Sequence, residues 1–390
     1  MVPISATVSL IKGCERRLLK GHRWIFSNEI AGGLRDLAPG WVKVVSSKGT
    51  DLGIGYLNPH TLIAIRLVCR PGETPSTDFF RKRLSDAALR RRDLYPGSEA
   101  LRLVYGEADG LPGLVIDQYA GVLVYQITTL GMSLIEERLR ELLVDMFKPQ
   151  ALVYRHDTTA RTIEDLPLIK GIAYGSIADP LRVHIHDLLY QIEPLEGQKT
   201  GFFLDQRDNR EALRRWVHGK TVLDLYCYDG AWSLTAAQAG AVETIGVDSS
   251  ASAVARASLN ARLNNLTQCR FIEDDVISCL KALDRRSFDV VVLDPPAFAK
   301  TKSAADQAMK GYIDANRRAL LALSPGGILV SCSCSYHMSE EDLKTAILRA
   351  AQASGKTLRL LESRGQALDH PALLAMPETR YLKCLILQAV

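Results

Sequence analysis

Four carboxylates stand at or near the ends of four successive short apolar runs in the second half of this 390-residue chain. Asp224 falls within TVLDLY, Asp248 closes TIGVD, Asp275 closes CRFIEDD and Asp294 closes FDVVVLD. In an open α/β sheet, ligands lie outside the carboxyl ends of the strands, so acids there are placed to accept hydrogen bonds from a bound molecule. Asp248 comes eighteen residues after Gly230, a spacing that suits acceptance from two ribose hydroxyls, and Asp275 suits an adenine amino group. Between the first strand and its helix runs Asp224-Leu225-Tyr226-Cys227-Tyr228-Asp229-Gly230, a tight ligand-binding turn. The dinucleotide fingerprint GxGxxG is missing, with only Gly230 left of it, which argues against NAD and FAD. The fourth strand runs into Asp294-Pro295-Pro296-Ala297-Phe298, and a fifth ends in Ser331-Cys332-Ser333-Cys334-Ser335, which brings two thiols to the same rim. Each feature alone has a plainer explanation: a strand-end Asp is often a helix N-cap, and Pro-Pro a loop stop. Four acids in this order, at four consecutive strand ends, instead predict S-adenosylmethionine on a Rossmann-like methyltransferase domain.

The elements that must position these residues alternate in type. From residue 220 onward, buried-type strands are followed by helices near 231–239, 250–262, 276–283, 303–323 and 339–353. Such alternation predicts a mainly parallel, doubly wound sheet, and TLRLLES with YLKCLILQAV fits an antiparallel edge on it. Residues 2–73 read instead as short strands punctuated by glycines, a small β-rich module, and PGETPS (71–76) marks its end. A helix over 77–94, three strand candidates and a helix near 133–147 make a middle α/β part. The expected fold is therefore α/β, with domains at 1–73, 74–190 and 191–390.

Composition narrows the class. No apolar run approaches the roughly 18 residues of a membrane span, and the N-terminus lacks a signal-peptide layout, so a cytoplasmic protein without membrane contact is expected. The eight cysteines form no CxxC pair, which leaves a metal site without support and predicts reduced thiols. Residues 1–95 carry sixteen Lys/Arg against eight Asp/Glu, while the whole chain is only +4. A basic module on a near-neutral body suggests a polyanionic partner; the plainer alternative is a solvated basic face.

The segment GQKTGFFLDQRDNR (197–210), with VLDLYCYDG and LDPPAF, resembles the bacterial ribosomal RNA large-subunit methyltransferase I family. LLKGHRWIFSNEI (18–30) and GIGYLNPHTLIAIR (53–66) resemble its PUA part, and RLVYGEADGLPGLVIDQY (102–119) its middle domain. The resemblance covers nearly the whole chain. It implies methylation of cytosine C5 in 23S rRNA, with S-adenosylmethionine as donor and S-adenosylhomocysteine as product. It also implies that Phe203, Asp205, Gln206 and Arg207 cap the cofactor, with Asp224 and Pro295 among the residues around it. Tyr226 and Gly230 would line its methionine and sugar, Asp248 would hold the ribose and Asp275 the adenine. Asp294 would sit beside the transferring methyl. The chain departs from the family's commoner FCYTGGFS at YCYDGAWS, where Asp229 replaces a Thr and Trp232 a Phe.

C5 of cytosine is a poor nucleophile, and a thiolate added at C6 makes it enamine-like. Strand alternation sends Cys332 and Cys334 to one face and does not choose between them. The resemblance points to Cys334. In a related group the Cys directly follows Asp-Pro-Pro; here that residue is Ala297, so the base that removes the C5 proton is unassigned. Asp294 would hydrogen-bond the cytosine edge, with Pro296 beside it and Phe298 stacked on the base or packed in the core. The target base must be unpaired or flipped out. His22, Trp24 and Arg66 are candidates for the RNA-facing surface, although a Trp in a small β module is more often core. Rival readings are methylation of a guanine or adenine nitrogen, which needs no thiol, and an S-adenosylmethionine-binding protein without catalysis. A metal or redox protein built on the cysteines is disfavoured by their spacing. A homodimer through the N-terminal or middle part is compatible with the sequence but not required by it.

Overall fold

The computed structural model describes residues 2–282, 288–298 and 305–390, apart from the side chains of Arg35, Ala282 and Ala305. The chain forms two compact units. The first comprises 1–183, 192–204 and 369–379, and the second 184–191, 205–368 and 380–390.

The first unit begins with β1 (Ile4–Ser9), α1 (Glu15–Leu19), β2 (Trp24–Ile25), β3 (Gly40–Val45), β4 (Asp51–Leu57) and β5 (Ile65–Cys69), whose strands form a sheet in the order β1-β3-β4-β5-β2. Val42, Val44, Leu57, Ile65 and Leu67 are among the residues that fill its own core. Helix α2 (Thr77–Leu94) follows, N-capped by Ser76, whose hydroxyl accepts from the Phe79 amide at 3.1 Å. A second sheet then forms from β6 (Ala100–Tyr105), β7 (Leu114–Tyr119), β8 (Val122–Ile127), β9 (Ala151–His156) and β10 (Ile169–Gly175), with α3 (Leu130–Ser133), α4 (Glu136–Phe147) and α5 (Ala160–Ile163) between strands. The two sheets share apolar packing: Trp41 and Tyr56 of the first join Phe80, Leu84, Leu103 and Leu142 in one cluster. Trp41 meets Tyr56 and Phe80 edge-on, at centroid distances of 5.5 and 6.1 Å. Sequence patterning finds three strand candidates for this region, where the second sheet alone has five strands. RLVYGEADGLPGLVIDQY is two strands joined by a turn, and IKGIAYG has two glycines and mostly exposed side chains, so it carries little apolar signal.

A hairpin, β11 (Leu181–Ile185) and β12 (Leu188–Ile192), and helix α6 (Arg207–Leu213) precede the alternating region. That region runs β13 (Thr221–Leu225), α7 (Ala231–Gln238), β14 (Glu243–Asp248), α8 (Ala251–Leu263), β15 (Cys269–Glu273), α9 (Val276–Ala282), β16 (Phe288–Leu293), α10 (Ala305–Leu321), β17 (Leu323–Ser333), α11 (Glu340–Ala353), β18 (Leu358–Arg364) and β19 (Lys383–Ala389). The expected helix starting near 303 has its first two residues outside the described set. The sheet order is β15-β14-β13-β16-β17-β19-β18, parallel through β17, with β19 antiparallel to both its neighbours. This is the doubly wound sheet with an antiparallel edge that the alternation predicts. Alternate residues of its strands feed two cores: Leu223, Val291 and Leu329 pack with α10 and α11, while Val222, Val290 and Val330 pack with α6 and α7. Among the described residues, no helix is long and apolar enough to cross a membrane.

Candidate active site

Because β13 to β17 run parallel, their carboxyl ends share one rim, and the strand order reverses at β13, where such sheets open a crevice. The turn after β13 holds Tyr226 at φ +63° and Tyr228 at φ +46°, a left-handed backbone that non-glycine residues adopt at a cost and that clusters at functional turns. Gly230, at φ +78°, leads into α7; a Cβ there would run into Leu234 and Phe271 at 2.7 Å, so only glycine fits.

Asp248 ties this turn down. Its Oδ2 accepts from the Tyr228 amide at 3.0 Å and its Oδ1 from the Ser250 amide at 2.9 Å. Ser250, not Asp248, is the N-cap of α8, so the plain capping explanation fails for Asp248. Each carboxylate oxygen keeps a further lone pair for a ligand hydroxyl. Asp275 is exposed and its Oδ1 does accept from the Ser278 amide near the start of α9, at 2.9 Å. The Tyr226 phenol is pushed up to about 12, first by burial and then by the charges of Asp275 and Asp248.

Asp224 is set differently. It is fully buried under α7, where its Oδ2 accepts from the Ser233 amide at 3.0 Å and the Ser233 hydroxyl at 2.8 Å, while Oδ1 has no hydrogen-bond partner. Burial pushes its carboxyl up to about 7 against the pull of those donors. Its link to the rim is through α7, whose first turn it anchors.

Asp294 lies just past β16, half-buried, with its Oδ2 accepting from Gln206 Nε2 and from Trp232 Nε1, both at 3.0 Å. Asn209 holds Gln206 in turn, donating to its Oε1 at 2.7 Å. Asp205 Oδ2 accepts from the Tyr381 hydroxyl at 2.5 Å, and the buried Arg210 feels the charge of both Asp205 and Asp294. Asp205, Gln206 and the buried Arg207 thus fall in the same unit as Asp294. Phe203 belongs to the first unit, with the Lys199 ammonium 4.3 Å from its ring centroid. After Asp294, Pro295 is buried and Pro296 exposed, and the Phe298 ring lies 4.8 Å from that of Tyr312. Phe298 also lines a cavity of about 590 Å³ with Gln307, Ala308, Lys310 and Gly311.

The two thiols are distinguished by where the strand stops. β17 ends at Ser333, so alternation does not extend to Cys334. Cys332 is fully buried in the apolar cluster beside Cys384, and burial pushes its thiol well above the ordinary range. Cys334 is half-buried, past the strand end, in a chain segment held on both sides by hydrogen bonds. The Tyr312 hydroxyl lies 2.9 Å from Ser333 Oγ and 3.0 Å from Ser335 Oγ, and the Lys383 ammonium donates to the Ser335 carbonyl at 2.7 Å. Sequence reading misses Tyr312 and Lys383, and it singles out Trp232 only as a replacement for the family's Phe, not as a partner of Asp294. Lys383 had a visible signal, a charge inside the otherwise apolar run YLKCLIL.

Trp24 and Arg66 are register partners on β2 and β5, in the first unit. Trp24 Nε1 donates to Glu107 Oε1 at 2.8 Å, and Arg66 Nη1 to Glu164 Oε1 at 2.6 Å. His22 is buried, its Nε2 3.5 Å from Glu378 Oε1. Among the described residues, no three His, Cys, Asp or Glu side chains are grouped as a metal ion would need.

Residues 8–70 match the PUA-like domain family, and 178–370 match the S-adenosylmethionine-dependent methyltransferase family. Ribosomal RNA large subunit methyltransferase I of Shewanella frigidimarina is 38% identical over 389 residues, covering 97% of this chain and 98% of that protein. The chain belongs to the ribosomal RNA large subunit methyltransferase I family. The fold of this methyltransferase is shared with a putative SAM-dependent methyltransferase from Streptococcus mutans, at a TM-score of 0.85 and 21% identity, covering 98% of this chain and all of that one. A second solved structure, a putative methyltransferase complexed with S-adenosylhomocysteine, aligns at a TM-score of 0.85 and 22% identity, covering 99% and 100% of the two chains. S-adenosylmethionine is the methyl donor of this methyltransferase family, and the residues present suit it. The glycine-led turn and the acids Asp248 and Asp275, both acting on Tyr226, give a polar rim with acceptor capacity left over.

Proposed function

We propose that this rRNA methyltransferase methylates C5 of a cytosine in 23S rRNA through a covalent adduct of Cys334. The observation that carries the reading is the contrast between the two thiols: Cys332 belongs to the core, whereas Cys334 stands half-buried past the end of β17, the strand next to the one that presents Asp294. Bound S-adenosylmethionine supplies the electrophilic methyl group. The Cys334 thiolate forms an S–C6 bond, and the electron pair displaced from the C5–C6 double bond makes C5 nucleophilic toward that methyl. Loss of the C5 proton to a base then re-forms the double bond and returns the S–C6 pair to sulfur. Asp294, held by Gln206 and Trp232 through one oxygen, enters this step with a proton on its carboxyl and donates it to cytosine N3, where negative charge develops as C6 is attacked. Phe298 and Pro296 flank the base. Phe203, Asp205, Gln206, Arg207, Tyr226, Gly230, Asp248, Asp275 and Pro295 surround the donor, and Asp224 supports it by fixing α7.

The same reading assigns residues 1–73 to RNA binding, 74–190 to a middle part and 191–390 to methyl transfer, in the cytoplasm, with the target base unpaired or flipped. The basic N-terminal part contacts phosphates. Trp24 and Arg66 serve that surface by shaping it, since their donors face Glu107 and Glu164. The test is incubation with naked and assembled ribosomal RNA and labelled donor, followed by mapping of the modified nucleotide by mass spectrometry. Label on cytosine C5 supports the reading; label on a guanine or adenine nitrogen sinks it, and donor binding with no transfer to any RNA favours a non-catalytic role.

A further inference from the structure

Lys383 is the only lysine with a buried side chain among the described residues, at 6% exposure. It opens β19 and pairs in register with Ser333, the residue before Cys334. Its Nζ donates to the carbonyl of Ser335, the residue after Cys334, at 2.7 Å, and to the carbonyl of Tyr381 at 2.9 Å. The ammonium is thereby fixed to the segment that bears the thiol, with a third donor position left over. A buried ammonium that gained only two neutral acceptors would be a poor exchange for hydration. A lysine in the apolar run of β19 therefore needs a further partner. Of the acidic groups that act on it, Cys334, Asp342 and Glu340, Cys334 acts most strongly and stands between Ser333 and Ser335, which the Lys383 backbone and side chain engage.

We infer that Lys383 is the positioning residue for the Cys334 thiolate, taking the thiol proton and holding the resulting anion ready for addition to the base. This rests on the covalent reading given above. As the S–H bond breaks, its proton forms an N–H bond on the Lys383 amine, giving a thiolate–ammonium pair; the sulfur electron pair then forms the bond to C6. When the product is expelled, the thiolate takes the proton back.

The surroundings of the pair are consistent with this exchange. Burial pushes the Lys383 ammonium down to about 8, so the amine is accessible near neutral pH. Cys334 opposes that drop, as do Asp342 and Glu340, while Arg380 adds to it. From α10, Tyr312 faces the same thiol, with its own hydroxyl kept neutral by burial. An ammonium here stabilises the thiolate below about pH 8 and loses that effect as pH rises through its own titration.

Iodoacetamide alkylation of Cys334 in the full-length protein, followed by peptide mass spectrometry across pH, tests the proposal without RNA. The wild-type Cys334 profile is expected at least one unit below the ordinary thiol value of about 8.5. Lys383→Met should move it up by a unit or more, an about tenfold slower reaction at pH 7, and Lys383→Arg should hold it near wild type. A wild-type Cys334 that titrates at or above the ordinary value overturns the inference with no variant needed, as does an unchanged profile in a Lys383→Met protein that melts normally. Turnover of Cys334→Ala separates the two readings. Retained turnover alongside a lowered, Lys383-dependent profile removes the covalent mechanism alone. Lost turnover alongside a Lys383-independent profile removes only the role of Lys383.

Discussion

The two units handle buried charge in opposite ways. In the first, carboxylates are closed off by arginines: Arg91 clamps Asp109 with two bonds of 2.6 and 2.7 Å, Arg102 clamps Asp117 at 2.5 and 2.7 Å, and Arg66 meets Glu164 at 2.6 Å. In the second, the acids at the strand ends and beneath α7 accept from neutral donors: amides for Asp248, an amide and a hydroxyl for Asp224, a side-chain amide and an indole for Asp294. A bidentate arginine uses up a carboxylate's charge and geometry. Neutral donors orient a carboxylate without the fork of two charged bonds that an arginine supplies. The difference separates charges locked into ion pairs from charges that, in the proposed reading, face the donor and the base. Asp229 illustrates the boundary, since it sits in the ligand turn yet is matched by Arg256 at 2.9 Å.

The sharpest way to break the comparison is at the rim. Cys334→Ala should lower methyl transfer on the order of 10⁴-fold or more, as loss of an essential nucleophile does. Cys332→Ala, two residues away, should change it little and instead lower the melting temperature, because that thiol belongs to the core beside Cys384. Incorporation of labelled methyl into ribosomal RNA reads both, and equal losses would erase the distinction between the thiols. The next largest effect lies in the first unit. Asp109→Asn leaves Arg91, 1% exposed, without its counter-charge, and should cost about 3–5 kcal/mol in calorimetric unfolding. A negligible cost would mean that the closed pairs do not hold this unit together.

Asp224 tests the other half of the comparison. Its folded carboxyl titrates near 7, above the usual value for an unfolded Asp of about 3.9. The folded state therefore holds a proton that the unfolded state has lost. The associated stability is complete below about pH 4 and disappears as pH rises to about 7. Relative to Asp224→Asn, the wild-type protein should lose about 1.4 kcal/mol per pH unit between pH 5 and 7, then run level. Parallel stability curves for the two proteins would show that Asp224 is not a buried, proton-binding acid.

What the sequence revealed and what it hid follow the same division. The strand-end acids were legible because each sits at a change of periodicity, and β13, β14, β16 and β17 read as apolar runs because both their faces are buried, unlike the edge strand β15. That rule also explains the failures. Asp224 looked like its three neighbours in spacing, but one step back along β13 turned it under α7, a difference of face rather than of pattern. The choice between Cys332 and Cys334 was invisible because it depends on where the ladder between β17 and β19 stops. The acid partners of Trp24 and Arg66 lie 83 and 98 residues away in the chain, beyond any local signal.

Trp232 carries the smallest effect and the finest test. The family's commoner residue here is Phe, which has no donor, whereas this chain's indole gives Asp294 a second bond on the same oxygen that Gln206 holds. Trp232 is 3% exposed and packs in the cluster shared by α6 and α7, so Trp232→Phe removes the donor and leaves part of the ring packing. One buried hydrogen bond contributes about 0.5–1.5 kcal/mol, so kcat should fall about two- to tenfold. The affinity for S-adenosylhomocysteine should move less than kcat if Asp294 faces the base, and at least as much if it faces the donor. Gln206→Leu removes the other donor and should act in the same direction. If the double variant loses no more than either single one, a single donor does not suffice to hold the carboxylate, and the second bond is part of what makes the rim work.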